Sequence, residues 1–264
     1  MPDTQSVEPL LDLRLAYLRA VAKAWQDSAY RDALLAAKDI QPMLQKLGMN
    51  AWWPNLRFQL VNDKLPAMQT HWDPVQTSGW VGRDDAFVIA LPQAPKDPAQ
   101  AAIALAAYYQ QFPDVMGPMV SLSGATTSTD TGLKGALPTG LGIPGGGPDS
   151  LLAFGGVVLR AIALAWHDAT FHEQLTASPN AEAVLSQWLG YNNPFNFIIR
   201  FESNPDFTWD AVNGRWNGLA TDTSPGVVQN AIVLNYPNAP DDEGLRPIAL
   251  TSYNNTGPAY PFTC

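Results

Sequence analysis

The sequence of 264 residues contains only one cysteine, Cys264, and it is the last residue. One thiol excludes an intramolecular disulfide and any metal site built from several cysteines. Basic residues are also scarce, 15 against 24 acidic ones, which gives a net charge of −9. An acidic chain gains no energy by releasing the counterions of a polyphosphate, so neither nucleic acid nor an anionic membrane surface is an expected partner.

Targeting and catalytic signatures are missing as well. The N-terminus has no basic segment followed by an apolar one, and no run reaches the roughly 18 apolar residues of a membrane span. We therefore expect a cytoplasmic chain. No Gly-x-Ser-x-Gly elbow and no phosphate loop occur, and His167 and His172 are five apart rather than on one helical face. We expect no enzymatic activity, no metal and no cofactor.

What the sequence does contain is a duplication. Residues 18–30 recur 141 positions later, with seven of thirteen residues identical. Residues 86–95 recur 145 positions later, and the Ile, Leu, Tyr and Pro positions of 103–113 recur at that same displacement. Matches in three blocks in the same order predict a tandem repeat of one unit.

The two copies are separated by a segment dense in Gly, Ser, Thr and Pro. Such a segment cannot bury a core, and we expect it to be a flexible linker. The predicted organisation is a first unit at 1–115, a linker at 116–150, a second unit at 151–250 and a C-terminal tail at 251–264.

Helices are predicted at the start of each copy. In the first copy the apolar stripe comprises Leu11, Leu15, Leu18, Ala22 and Trp25. The equivalent residues Asp27 and Asp168 are predicted N-caps of a second helix. A third helix is predicted in each copy, ending at Gly48 or Gly190. Trp25 and its equivalent Trp166 are predicted to anchor the core.

Strands follow the helices in each copy. Residues 56–60 and 197–201 have strand-like patterns, and 87–91 and 232–236 are apolar runs of strand length. A helix is predicted at 98–111 in the first copy. The matching tail of the second copy is predicted to be much less helical, because it contains Gly244, Pro247, Gly257, Pro258 and Pro261. The fold class predicted is α+β.

A family resemblance emerges from the repeated motif Ala-x-Ala-Trp-x-Asp-x-x-(Tyr/Phe)-x-x-x-Leu, with a later Leu-Gly and then a Val-rich strand. The motif resembles the alpha subunit of nitrile hydratase. It also resembles leader domains of that type in ribosomally made, post-translationally modified peptides, in particular two-chain precursors of thiazole/oxazole-modified microcins. The hydratase holds its metal in a Cys-x-x-Cys-Ser-Cys claw. The corresponding residues here, 88–92 and 233–237, contain no cysteine.

The resemblance implies a non-catalytic, bacteriocin-like precursor. Its two hydratase-like units would be the leader bound by modifying enzymes, such as a cyclodehydratase and a dehydrogenase, and a paralogous second precursor chain is a further candidate partner. The tail would be the modified segment, and its mature product a candidate for export. Thiols are better nucleophiles than hydroxyls, so Cys264 is the first modification candidate. The weaker candidates are Thr263, Thr256, Ser252 and Thr251.

Two alternatives remain open. The chain could be a degenerate hydratase-like structural subunit that assembles with a partner and carries no metal. It could also be an enzyme of an unrecognised type. A stable complex with an unmodified tail would favour the former, and metal analysis of the purified protein would test the latter.

Overall fold

The computed structural model describes residues 9–75, 79–111, 148–193, 197–220 and 226–256. The helices of the first copy are α1 (Pro9–Ala24), α2 (Ser28–Ala36), α3 (Gln41–Gln45) and α4 (Ala101–Gln110). Its strands are β1 (Leu56–Val61), β2 (His71–Trp72), β3 (Trp80–Val81) and β4 (Asp85–Leu91). The helices of the second copy are α5 (Pro148–His167), α6 (Ala169–Ala177), α7 (Glu182–Leu189) and α8 (Arg246–Thr256). Its strands are β5 (Phe197–Ser203), β6 (Trp209–Asp210), β7 (Arg215–Trp216) and β8 (Asn230–Asn235).

The mixed helix and strand content confirms the predicted α+β class. The predicted strands and the helix after β4 are present, the latter preceded by a turn of 3-10 helix at Pro98–Gln100. The predicted linker lies outside the described residues, except that 148–150 begin α5.

The predicted caps are confirmed in both copies. The side chain of Asp27 accepts a hydrogen bond from the backbone N–H of Tyr30 at 3.0 Å, and that of Asp168 accepts one from Phe171 at 2.9 Å. These bonds satisfy backbone donors that the first turn of a helix leaves free. Gly190 follows α7 with a φ of 67°, a left-handed conformation that favours glycine and ends the helix.

The stripe predicted for α1 is only partly correct. Leu18 and Trp25 pack against the core, but Leu15 is 43% exposed, and the fully buried residues lie on a neighbouring face of the helix. Apolar residues occur all around this helix, so their spacing alone allowed either face. The buried face is rich in alanine, which lets the helix approach its neighbours closely. Its members are Leu13, Ala16, Tyr17, Ala20, Val21 and Ala24.

The main sheet has four strands in the order β1-β8-β4-β5. The central strand β4 is buried along its whole length, as its continuous apolar run requires. The edge strand β1 alternates buried and half-buried residues, which is typical of a strand with one face on the core. The helices pack on the face that carries Phe58, Phe87 and Phe197, and one continuous core includes residues from both copies.

The two copies are interleaved in this sheet. Strand β1 of the first copy pairs in parallel with β8 of the second, and β4 of the first pairs in parallel with β5 of the second. In the middle, β4 and β8 run antiparallel, with Phe87 opposite Ile232. These two residues are equivalent in the repeat, so the sheet has a pseudo-twofold axis between them.

The tail of the second copy forms a helix, which corrects the prediction that it would be much less helical. Pro247 lies in the first turn of α8, where a missing backbone N–H costs nothing. Gly244 belongs to the preceding turn of 3-10 helix. Both residues therefore lie at the start of the helix rather than inside it, whereas Gly257, Pro258 and Pro261 lie outside the described residues. None of the helices within the described ranges is long and apolar enough to cross a membrane.

Candidate functional site

Each copy extends its last strand and helix onto the other copy. We call β4 with α4 the first arm, and β8 with α8 the second arm. The indole N–H of Trp25 donates to the carbonyl oxygen of Pro237 in the second copy at 2.8 Å. The equivalent Trp166 donates to the carbonyl oxygen of Pro92 in the first copy, also at 2.8 Å. The anchoring role predicted for these tryptophans is thus exerted on the opposite copy.

A second pair of tryptophans holds the helices of the arms. Trp80 donates to the carbonyl oxygen of Ala249 in α8 at 2.9 Å, and Trp216 donates to that of Ala104 in α4 at 2.9 Å. Both indoles are buried. Trp25 stacks on Trp80 with ring centroids 6.2 Å apart, and Trp166 meets Trp216 at 6.0 Å. Each arm is therefore fixed by the same aromatic arrangement.

The two arms differ at one buried hydroxyl. Tyr253 of α8 lies with its hydroxyl 3.0 Å from that of Tyr17 in α1. Its equivalent in α4 is Tyr108, whose hydroxyl is buried without a hydrogen-bond partner. Val158 stands at the position equivalent to Tyr17. Burial raises the pKa of Tyr108 because the phenolate would lose its hydration.

Two equivalent polar residues flank the β4–β8 pair. An Oδ1 atom of Asp85 accepts from the backbone N–H of Asn235 at 2.7 Å, and the Oδ1 of Asn230 accepts from that of Ala90 at 2.8 Å. Asp85 is fully buried, and its Oδ2 has no hydrogen-bond partner. Desolvation raises the pKa of its carboxyl well above the usual range, against the lowering effect of the Asn235 hydrogen bonds.

Residues 88–92 and 233–237, where the resemblance would place the hydratase claw, lie in or just after β4 and β8. Among the described residues, no group of three His, Cys, Asp or Glu side chains is close enough to hold a metal ion. Asp168 caps α6, and the exposed His172 pairs through Nε2 with the hydroxyl of Ser203 at 3.0 Å. Asp168 and His172 thus act in a helix cap and in a surface hydrogen bond.

The predicted modification residues fall into two groups. Thr251 and Ser252 lie within α8, where Thr251 is exposed and donates from Oγ1 to the carbonyl oxygen of Pro247 at 2.9 Å, and Ser252 is half-buried. Thr256 is the last residue of α8, and its side chain is outside the described part of the chain, as are Thr263 and Cys264. Of the five, the described part of the chain therefore places the side chains of only Thr251 and Ser252, both in α8.

An open groove of about 690 Å³ runs between the end of α1 and the start of α8. An ion pair of Glu243 with Arg246, 3.2 Å apart, contributes to its wall. The other lining residues are Ala22, Trp25, Gln26, Pro247 and Leu250.

The fold and the site together define a duplicated α+β protein whose copies exchange their last strand and helix. A family model described as "Ribosomal natural product, two-chain TOMM family" matches residues 8–116 and 149–261. The matched regions make up most of the chain, and the chain belongs to this family. The predicted membership of a two-chain family of modified-peptide precursors is confirmed, as is the presence of two copies. Neither a curated protein nor a solved structure matches the chain.

Sequence reasoning missed the polar residues that begin the two central strands. Asp85 and Asn230 are equivalent at the displacement of 145, so extending the repeat comparison by one residue would have found them. The sequence gives no indication that Trp25 and Trp166 form hydrogen bonds with the opposite copy. The same apolar pattern is expected for a tryptophan that packs within its own copy.

Proposed function

We propose that the chain is a non-catalytic precursor of a modified peptide, in which the duplicated fold is a leader for modifying enzymes and the C-terminal residues carry the modification. The observation that supports this most strongly is the family match over both copies. The repeated motif resembles that of the hydratase but has no cysteine at the claw positions, so the duplicated fold would serve for docking rather than for metal chemistry. Modification would take place in the cytoplasm, and a bacteriocin-like product would then be exported.

The chemistry proposed for the tail is heterocyclisation. The thiol of Cys264 attacks the carbonyl carbon of Thr263, and loss of water, coupled to ATP hydrolysis by a cyclodehydratase, leaves a thiazoline. Removal of two hydrogens by a flavin-dependent dehydrogenase would give the thiazole. Thr263 and Thr256 could react in the same way through their hydroxyls, which are weaker nucleophiles than a thiol.

Thr251 and Ser252 are less favourable substrates than Cys264. Ring formation at either residue distorts a backbone that α8 holds in helical hydrogen bonds. The flanking residues Ala249 and Tyr253 are fully buried, so the helix must leave the core before an enzyme reaches this backbone. We therefore place the principal modification after Thr256.

The test is the intact mass of the chain after co-expression with its neighbouring genes. A loss of about 18 mass units indicates an azoline and a loss of about 20 an azole. Cys264→Ala is the matched control and should abolish the principal loss. Binding of the modifying enzymes should survive removal of residues 257–264, because the proposed leader is the folded part. An unmodified tail in a stoichiometric complex would contradict the proposal and favour a structural subunit.

A further inference from the structure

Each copy consists of two parts that make different contacts: its first three helices contact their own copy, whereas its arm contacts the other copy. Helix α1 contacts α2 and α3, and α2 contacts β1. In the second copy α5 likewise contacts α6 and α7, and α6 contacts β5. The arms contact the opposite copy instead. Helix α4 lies on α5 and β7, whereas α8 lies on α1 and β3.

We infer that the fold is a fused dimer, in which each half presents a surface shaped for the arm of a second copy of the same unit. The partner that fits this surface is therefore another polypeptide carrying this unit. Two chains with one unit each will assemble into the same fold without a covalent connection. This inference is independent of the proposed precursor function.

The central strand pair is self-complementary. Ala86 faces Val233 and Val88 faces Ala231, while Phe87 faces Ile232 at the centre. Since 86, 87 and 88 are equivalent to 231, 232 and 233, a second β4 in place of β8 would keep this register. An isologous contact of this type is the rule at a twofold interface between identical subunits.

Separating the two copies would be energetically unfavourable. The arm residues Ala249 and Tyr253 are fully buried on the first copy, and Ala104 and Tyr108 are almost fully buried on the second. Separation would expose these side chains and break all three strand pairings of the main sheet, because each joins a strand of one copy to a strand of the other. It would also break the indole bonds from Trp25 and Trp166 to the opposite copy.

The test cuts the full chain after it has folded. A protease site inserted between residues 125 and 135, outside the described ranges, separates the two copies when cleaved. We expect the two pieces to elute together at the size of the intact 28.6 kDa chain and to retain its circular dichroism spectrum. They should separate only in denaturant. Pieces that separate in buffer while each remains folded would overturn the inference.

A cysteine pair tests the exchange directly, in a background with Cys264→Ala. Ala86→Cys in β4 and Ile198→Cys in β5 are partners in adjacent strands of opposite copies, so their Cα atoms are about 5 Å apart and can form a disulfide. Oxidation should link the two pieces after cleavage. The control pair is Ile198→Cys with Ala231→Cys, two residues of the second copy that β4 separates by about 10 Å. A disulfide in the control pair, with none between Ala86→Cys and Ile198→Cys, would show that the arms stay on their own copies.

Discussion

The hydroxyls of Tyr17 and Tyr253 lie 3.0 Å apart in the core, although the residues are 236 positions apart in the chain. The bond joins α1 of the first copy to the arm of the second. At the equivalent place in the other half, Val158 stands in the position of Tyr17, and the hydroxyl of Tyr108 has no partner. The repeat thus contains a natural comparison of a buried hydroxyl with and without this hydrogen bond.

Tyr253→Phe and Tyr108→Phe should therefore affect stability differently. Tyr253→Phe removes the bond to Tyr17 and should lower the free energy of unfolding by about 1 kcal/mol. Tyr108→Phe removes a buried polar group that has no partner, so stability should be unchanged or higher. Urea unfolding of the two variants measures both effects, and equal losses in the two would contradict the assignment.

Asp85→Asn should change how stability depends on pH. Burial raises the pKa of Asp85, so the folded chain holds its proton at a pH where the unfolded chain has released it. The free energy of unfolding is therefore highest, as far as Asp85 is concerned, below the unfolded pKa of about 3.9. It falls as the pH rises from there toward the pKa of Asp85 in the folded chain. The variant removes this dependence, and its advantage over the parent should grow with pH across that window.

Urea midpoints from about pH 4 to about pH 8 measure this difference. The matched variant is Asn230→Asp, which places a second carboxyl at the equivalent position beside Ala90. It should lose stability more steeply than the parent as pH rises. A pH dependence of the parent that Asp85→Asn leaves unchanged would show that another group is responsible.

The duplicated caps should contribute equally. Asp27→Ala and Asp168→Ala each remove a side chain that accepts from the first turn of a helix, which should cost about 1 kcal/mol of unfolding free energy. The two effects should add, because the caps have no partner residue in common. Asn at either position keeps an accepting oxygen and should retain most of the stability. A loss in the Asn variants as large as in the Ala variants would indicate that capping is not the role of these residues.

Local features of the fold were predictable from the sequence, whereas the pairing between copies was not. The caps at Asp27 and Asp168 and the helix end at Gly190 depend on neighbouring residues, which a sequence presents directly. The register of Phe87 against Ile232 depends on which copy supplies the adjacent strand. An apolar run that is buried on both faces satisfies either arrangement equally well.

Counting Pro and Gly residues also fails when their position in an element is not known. By composition alone Pro247 disfavours a helix, yet the first turn of α8 accepts it without losing a hydrogen bond. The buried ring of Tyr253 then holds the helix in the core by contact with Trp80, with centroids 5.2 Å apart. Tertiary packing thus outweighs the weak helix propensity of this segment.

The position of α8 leads to a prediction about where modification occurs. In the parent chain, the mass loss should map to a fragment after Thr256, because Thr251 and Ser252 belong to a helix packed on the first copy. Tyr253→Ala should loosen this helix by removing a fully buried ring, and modification at Thr251 and Ser252 should then increase. Tyr253→Phe is the control, because it keeps the ring and should keep the parent pattern. Fragment masses after proteolysis distinguish the sites, and equal modification of Thr251 in the parent and in Tyr253→Ala would mean that α8 does not protect it.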